Sequence, residues 1–236
     1  MNVQKNDFIE VEFTGKMNDE IFDTTNSEEA KSIGLQAKVR PTIACVGKEM
    51  ILKGLDDELE GKEIGKKYLI HLMPDQAFGK RNTSLIKIIP IRVFKEKDMN
   101  PVKGMVFQFD NQMARIISVS GGRVTADFNN PLAGKEVDYD IKINKKITDD
   151  KEKINAIQDF FFRQRFEFDL DKENKKVIFK ETKLKPIIDI FTDKFKEISG
   201  FDVEVIENDK HFRGPQKSEI SKVVEATTPG DSLKEK

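Results

Sequence analysis

The chain has 236 residues with 18 Phe, 2 Tyr and no Trp, so nearly all of its aromatic area comes without a polar handle. Lys and Arg number 41 against 42 Asp and Glu, a formal net charge of -1, and charged residues make up 35%. That balance exceeds the typical charged fraction of about 25% and describes a salt-bridge-laced surface; it argues against nucleic acid as a partner, which calls for a basic excess or stripe.

The length suggests one to three domains with a substantial core. With 14 Gly, 8 Pro and 37% hydrophobic residues, the chain is neither collagen-like nor globally disordered. The lone Cys45 excludes an intramolecular disulfide and a thiolate-rich metal site, and its neighbours Ile43, Ala44 and Val46 make it a buried strand thiol. Met1 to Ile9 carries Lys5 and Asp7 and no apolar signal core, and no run approaches the roughly 18 apolar residues of a membrane span. The expectation is a cytoplasmic protein with no membrane partner.

Alternation over Phe8 to Phe13 predicts a first strand, Thr14 to Asp19 a turn, and Glu20 to Phe22 a second short strand. Thr24 to Lys38 is mostly polar or small and reads as a loop with at most a helical turn. Thr42 to Val46 is a strand closed by Gly47. Gly54 then opens a short helix carrying Leu55 and Leu59 on one face, ended by Gly61. Lys67 to Met73 is a strand bounded by Pro74. Asp75 to Thr83 is a turn-rich loop around Phe78.

The next stretch reads as a compact all-strand block of about 45 residues: Ile86 to Pro90, Val93 and Phe94, Met105 to Phe109, Ala114 to Val119, and Val124 to Phe128 after the Gly121-Gly122 turn. Val137, Tyr139, Ile141 and Ile143 then alternate with charged residues in the clearest strand of the chain, placed to return to the first sheet. Beyond Lys151 lie 10 of the 18 phenylalanines. A helix over Lys151 to Arg163, a hairpin of Phe166 to Leu170 with Lys176 to Phe179, a helix from Pro186 to about Ser199 and a strand over Phe201 to Ile206 predict an α+β domain.

Several chemistries find no motif. His71 and His211 are 140 residues apart and suggest no metal cage; the first reads as structural and the second as exposed. Gly47-Lys48 is followed by Glu49 and Met50, not by a phosphate-loop pattern, and there is no nucleophile arrangement for hydrolysis. Neither a metal nor a cofactor is expected.

What remains is an ordered set: Val11-Glu12-Phe13-Thr14-Gly15, Ile21-Phe22-Asp23-Thr24, Gly47 through Leu55, Leu59 through Gly65, Pro74-Asp75-Gln76-Ala77-Phe78-Gly79, and Asp127 through Lys135 with Asn130-Pro131-Leu132-Ala133-Gly134 inside it. In this order the set resembles an FKBP-type peptidyl-prolyl cis-trans isomerase, and more narrowly the SlyD-like branch with an insert-in-flap domain, of the long archaeal type. The resemblance implies an α+β, mainly β fold: an FKBP-like antiparallel sheet wrapped around a short helix (1–83 and 130–147), interrupted by a small all-β insert-in-flap chaperone domain (84–129). An α+β C-terminal domain (151–220) and a flexible tail (221–236) follow.

Carried over residue by residue, the resemblance assigns catalytic positions to Asp23, Phe22, Phe78 and Tyr139, and substrate-binding positions to Phe13, Ile51, Leu52, Leu55 and Leu132. Phe22, Leu55, Phe78 and Tyr139 would wall the prolyl ring, the Leu52 N–H would anchor a substrate carbonyl, and Asp23 would be the polar specialist. Two hydroxyls are missing, because Phe13 and Phe78 stand where better-known members often carry Tyr, and Tyr139 matches a position usually held by Phe. The partners implied are unfolded or proline-containing polypeptides, with the C-terminal domain serving either homodimerisation or client binding. The alternative is a non-catalytic chaperone that binds unfolded chains through the insert and the C-terminal domain.

Overall fold

The structure, a computed structural model, describes residues 1–34, 39–110 and 112–205. In chain order its elements are β1 (Phe8–Met17), β2 (Glu20–Thr24), α1 (Ser27–Ser32), β3 (Thr42–Cys45), α2 (Lys53–Leu59), β4 (Lys67–Leu72), β5 (Ile86–Pro90), α3 (Ile91–Lys95), β6 (Val106–Phe109), β7 (Gln112–Ser120), β8 (Arg123–Asp127), β9 (Val137–Lys146), α4 (Asp150–Phe162), β10 (Phe168–Asp171), β11 (Lys176–Phe179), α5 (Lys185–Ser199) and β12 (Asp202–Val205). The fold is mainly β, with antiparallel sheets and a few helices. Residues 1–72 and the described part of 137–236 make one compact unit, and residues 73–136 another.

In the first unit β1 is the axis of a five-stranded antiparallel sheet of order β2-β1-β9-β4. β3 takes the Phe8 to Val11 half of one edge of β1, β2 takes the Thr14 to Met17 half, and β9 occupies the other edge. Val137, Tyr139, Ile141 and Ile143 are buried while Asp140 is exposed, as the alternation in β9 requires. α2 buries Leu55 and Leu59 and packs against β4.

The turn expected over Thr14 to Asp19 is shorter than the sequence suggests. β1 continues to Met17, and only Asn18 and Asp19 make the reversal, with φ of 49° and 64°. A two-residue hairpin needs left-handed backbone at both positions, which Asn and Asp tolerate best after Gly. Thr14 and Gly15 stay in the strand because both edges of β1 are paired there.

The C-terminal elements build their own small sheet, β10-β11-β12, in which β11 is antiparallel to β10 and parallel to β12. α5 is the crossover between the parallel strands, with Pro186 in its first turn and Gly200 closing it at φ 75°. The phenylalanines make this core: Phe161 stacks on Phe191 at 4.8 Å, and Phe179 meets Phe168 and Phe195, both at 6.1 Å. α4, capped by Asp149, packs on β3. Arg40 reaches Asp159 at 2.7 Å and Lys48 reaches Glu197 at 2.8 Å, so both ends of β3 are tied to this region.

The second unit is a four-stranded antiparallel sheet of order β5-β8-β7-β6. It is not all-strand as expected. Ile91–Lys95 form the single helical turn α3, which turns Phe94 fully inward onto Ala114, Ile116, Val124 and Ala126. A lone sheet has a face to bury, and α3 with Phe107, Phe109 and Phe128 covers it. Period-2 reading misses a five-residue helix because it is too short to show a helical repeat.

Cys45 is buried, which pushes its thiol up to about 11. His71 is exposed on β4, with its Nδ1 2.8 Å from Asp138 Oδ1. Ile206, His211 and the expected tail 221–236 lie outside the described residues. Among the described residues no helix is long and apolar enough to cross a membrane.

Candidate active site

A row of residues crosses the first sheet. Asp23 on β2, Gly15 on β1, Tyr139 on β9 and Ile70 on β4 are successive register partners. Residues in such a row share one face of the sheet, and here that face is the inner one, because Tyr139 and Ile70 are 2% and 5% exposed. Phe13 precedes Gly15 by two residues and so projects from the same face.

Phe22 and Asp23 are adjacent and in a regular strand would point to opposite faces. They do not, because Gly15 pairs with Asp23 while Lys16 pairs with Ile21, leaving Phe22 as the extra residue of a β-bulge. The bulge re-aims Phe22 toward Tyr139, with ring centroids 5.7 Å apart and planes at 89°. Phe13 meets the same ring at 5.9 Å and 66°. Three aromatic rings therefore meet edge to face around Tyr139, and Gly15 leaves room for two of them. A Cβ on Gly15 would lie 2.7 Å from Phe22 Cζ and 2.8 Å from Tyr139 Cε1.

The electrostatics follow from burial. Desolvation raises the Asp23 carboxyl above its ordinary 3.8, with a hydrogen bond from the Thr24 backbone opposing the shift. Burial also raises the Tyr139 phenol, and the nearby Asp23 charge adds to that rise. The phenol is thus held in its neutral, proton-bearing form. An apolar cage with one carboxylate and one phenol suits binding and desolvation rather than nucleophilic attack.

Ile51, Leu52 and Leu55 are buried in the segment joining β3 to α2. The Leu52 carbonyl accepts from Leu55 N at 2.8 Å and Asp56 N at 3.0 Å, opening α2, and among the described residues its own N–H donates to no backbone acceptor. Asp56, to which the sequence assigned no role, is 1% exposed; it accepts from the backbone N–H of Gly47 at 2.9 Å and of Glu49 at 2.7 Å. One helix turn thus carries Leu55 and the carboxylate that holds the preceding loop. Burial raises the Asp56 carboxyl despite these two bonds. Nothing in the pair Asp56-Asp57 marks which of the two turns inward; only the packing of α2 decides it. Gly15 did carry a signal, since a glycine inside a strand often marks close approach.

The structure thus brings together Phe13, Phe22, Asp23 and Tyr139, with Ile51, Leu52 and Leu55 buried elsewhere in the same unit. Phe78 and Leu132 belong to the second unit, Phe78 half-buried after a 3-10 turn at Pro74–Gln76 and Leu132 buried. On the outer face of the first sheet a groove of about 390 Å³ runs past Thr14, Asn26, Glu29, Lys67, Leu69 and Lys142. Its walls mix acidic and basic groups, and Phe13 lines it as well. Among the described residues no cluster of His, Cys, Asp or Glu is arranged to hold a metal.

Comparison with known proteins gives this geometry a family. A family model described as FKBP-type peptidyl-prolyl cis-trans isomerase matches residues 1–92, and one described as FKBP26, IF domain, matches residues 87–132. The chain is similar to the short-type peptidyl-prolyl cis-trans isomerase of Methanocaldococcus jannaschii, at 30% identity over 144 residues covering 60% of this chain and 92% of the relative. It is similar to the FKBP-type 16 kDa peptidyl-prolyl cis-trans isomerase of Escherichia coli, at 31% over 147 residues with the same two coverages. It is also similar to the isomerase SlyD of Vibrio cholerae, at 33% over 101 residues covering 41% of this chain and 50% of the relative. The chain belongs to the FKBP-type peptidyl-prolyl cis-trans isomerase family.

Proposed function

We propose that the cage formed by Phe13, Phe22, Asp23 and Tyr139, with Ile51, Leu52 and Leu55, is where this isomerase rotates X-Pro bonds of unfolded or partly folded chains. The observation that carries this reading is the convergence of Phe22, Asp23 and Tyr139 across Gly15 through the β-bulge. Phe78 and Leu132 enter the proposal from sequence resemblance alone.

The chemistry asks little of side-chain reactivity. The barrier to peptide rotation, about 18–20 kcal/mol, comes from C–N double-bond character. Water stabilises the planar, polar amide better than the twisted one, so an apolar cage that strips water from the prolyl carbonyl lowers the barrier. The Leu52 N–H anchors a neighbouring carbonyl, and Asp23 places negative potential beside the twisting carbon. Neither a proton acceptor nor a nucleophile takes part.

Residues 84–129 act as an insert-in-flap domain that binds unfolded chains and passes their prolyl bonds to the cage, raising effective concentration without altering the chemical step. Ile88, Val106 and Met105, 65%, 49% and 47% exposed, support this as apolar surface on an open sheet. The Phe-rich C-terminal domain, 151–220, joins two copies or adds client surface; sedimentation at micromolar concentration separates these, since a strictly monomeric species removes the dimer.

The test is cis/trans exchange of a short X-Pro peptide followed by magnetisation-exchange NMR. Acceleration by the wild type that falls in Asp23→Ala supports the cage. A folded protein that leaves exchange at its uncatalysed rate makes this a chaperone without catalysis.

A further inference from the structure

Tyr139 carries more than its ring. At 2% exposed it is among the most buried side chains of the first unit, and Phe would make the same edge-to-face contacts with Phe13 and Phe22. Its hydroxyl oxygen has no hydrogen-bond partner among the described residues. Packing alone therefore does not account for the oxygen.

The oxygen is not sealed, either. The one side-chain polar atom among the described residues that is both fully enclosed and unpartnered is Asn144 Oδ1, on the outer face of the sheet. The small exposed remainder of Tyr139 therefore includes its hydroxyl. The cage around it offers phenyl edges from Phe13 and Phe22 and the nearby Asp23 carboxylate. Phenyl groups neither donate nor accept a conventional hydrogen bond, and a carboxylate beside the phenol favours the protonated oxygen. The hydroxyl is thus a protonated donor set among Phe13, Phe22 and Asp23, the chemistry that recognises a carbonyl oxygen.

Resting on the proposed function above, we propose that the Tyr139 hydroxyl donates a hydrogen bond to a carbonyl oxygen of the bound prolyl peptide and so sets its position in the cage. Phe13 and Phe22 supply the apolar walls, and Tyr139 supplies the polar tip that neither of them has.

The test replaces the hydroxyl alone. Tyr139→Phe should fold with an unchanged circular dichroism spectrum and lose about tenfold in kcat/KM for a short X-Pro peptide, the size of one hydrogen bond worth about 1.4 kcal/mol. The same comparison is made with peptides in which each carbonyl oxygen of the X-Pro unit is replaced in turn by sulfur, a poorer acceptor. The tenfold gap between wild type and Tyr139→Phe should collapse for one of these analogues. An unchanged kcat/KM in Tyr139→Phe overturns the proposal, as does a loss of equal size with every analogue, which would mean that only the ring's placement had changed. Peptide affinity by chemical-shift titration keeps this separate from the assigned activity. If the wild type binds peptide without accelerating exchange, the isomerase reading fails, while tighter binding by wild type than by Tyr139→Phe still upholds the donor.

Discussion

Gly15→Ala is the sharpest probe of the cage, because one methyl group enters between its two central rings. The added Cβ would sit 2.7 and 2.9 Å from Phe22 and 2.8 Å from Tyr139, about 0.7 Å short of the nearest ordinary van der Waals contact at 3.4 Å. Tyr139 cannot retreat, being 2% exposed and held in β9 between β1 and β4. Phe22, on the bulge and half-buried, must take up the displacement. Overpacking of this kind costs about 1–3 kcal/mol, or about 2–12 °C in Tm for a chain of this size. A shift approaching 1 Å in a binding wall costs up to about 100-fold in rate. We therefore expect a folded variant with Tm lowered by several degrees and kcat/KM for a short X-Pro peptide reduced about 10- to 100-fold. Gly200→Ala is the control: its φ of 75° imposes backbone strain at the end of α5, with nothing within 4 Å of the new Cβ, so it should lower Tm and leave exchange untouched. Wild-type exchange rates in Gly15→Ala would refute the placement of the cage on this row.

Three further outcomes are expected. Burial raises the Asp23 carboxyl above 3.8, so folding disfavours its ionised form; the associated stability is full below that value and is lost as pH rises through the raised one. Asp23→Asn should therefore raise Tm at pH 7, give no gain below about pH 3.8 and slow isomerisation, as followed by thermal melts across pH and by peptide exchange. Asp56→Ala leaves the amides of Gly47 and Glu49 without their acceptor and should cost about 2 kcal/mol, read by urea denaturation, with weaker peptide binding as the 47–52 loop loosens. Deleting residues 84–129 should preserve exchange of short peptides while cutting the rate on an unfolded protein substrate at least tenfold; equal rates on the unfolded protein would refute the coupling.

Much of the architecture was legible because it is local. Alternation in Val137 to Ile143 marked β9 and its buried face, Leu55 and Leu59 marked the inner side of α2, and Pro186 marked the first turn of α5. The ordered motifs pointed to the family and, by resemblance, to a pocket of Phe13, Phe22, Asp23, Ile51, Leu52, Leu55, Phe78, Leu132 and Tyr139, of which Phe13 and Phe22 meet the Tyr139 ring. Where the reading failed, the deciding contacts were distant. Thr14 to Met17 looked like a turn, since only pairing with β2 and β9 keeps polar residues and a glycine extended. α3 was invisible, because one helical turn has no period; it forms to cover Phe94.

The phenylalanine excess divides along the same line. Sequence alone established that the aromatic area would be apolar and concentrated beyond Lys151, because composition and spacing are properties of the chain itself. Only the tertiary structure showed that the C-terminal rings pack on one another as core, and that a bulge opposite Gly15 turns both Phe22 and Asp23 toward Tyr139. Side-chain direction at a bulge depends on the register with a neighbouring strand, and the partner of Gly15 on β9 lies 124 residues away along the chain. No local pattern encodes that meeting; it exists only when the sheet closes.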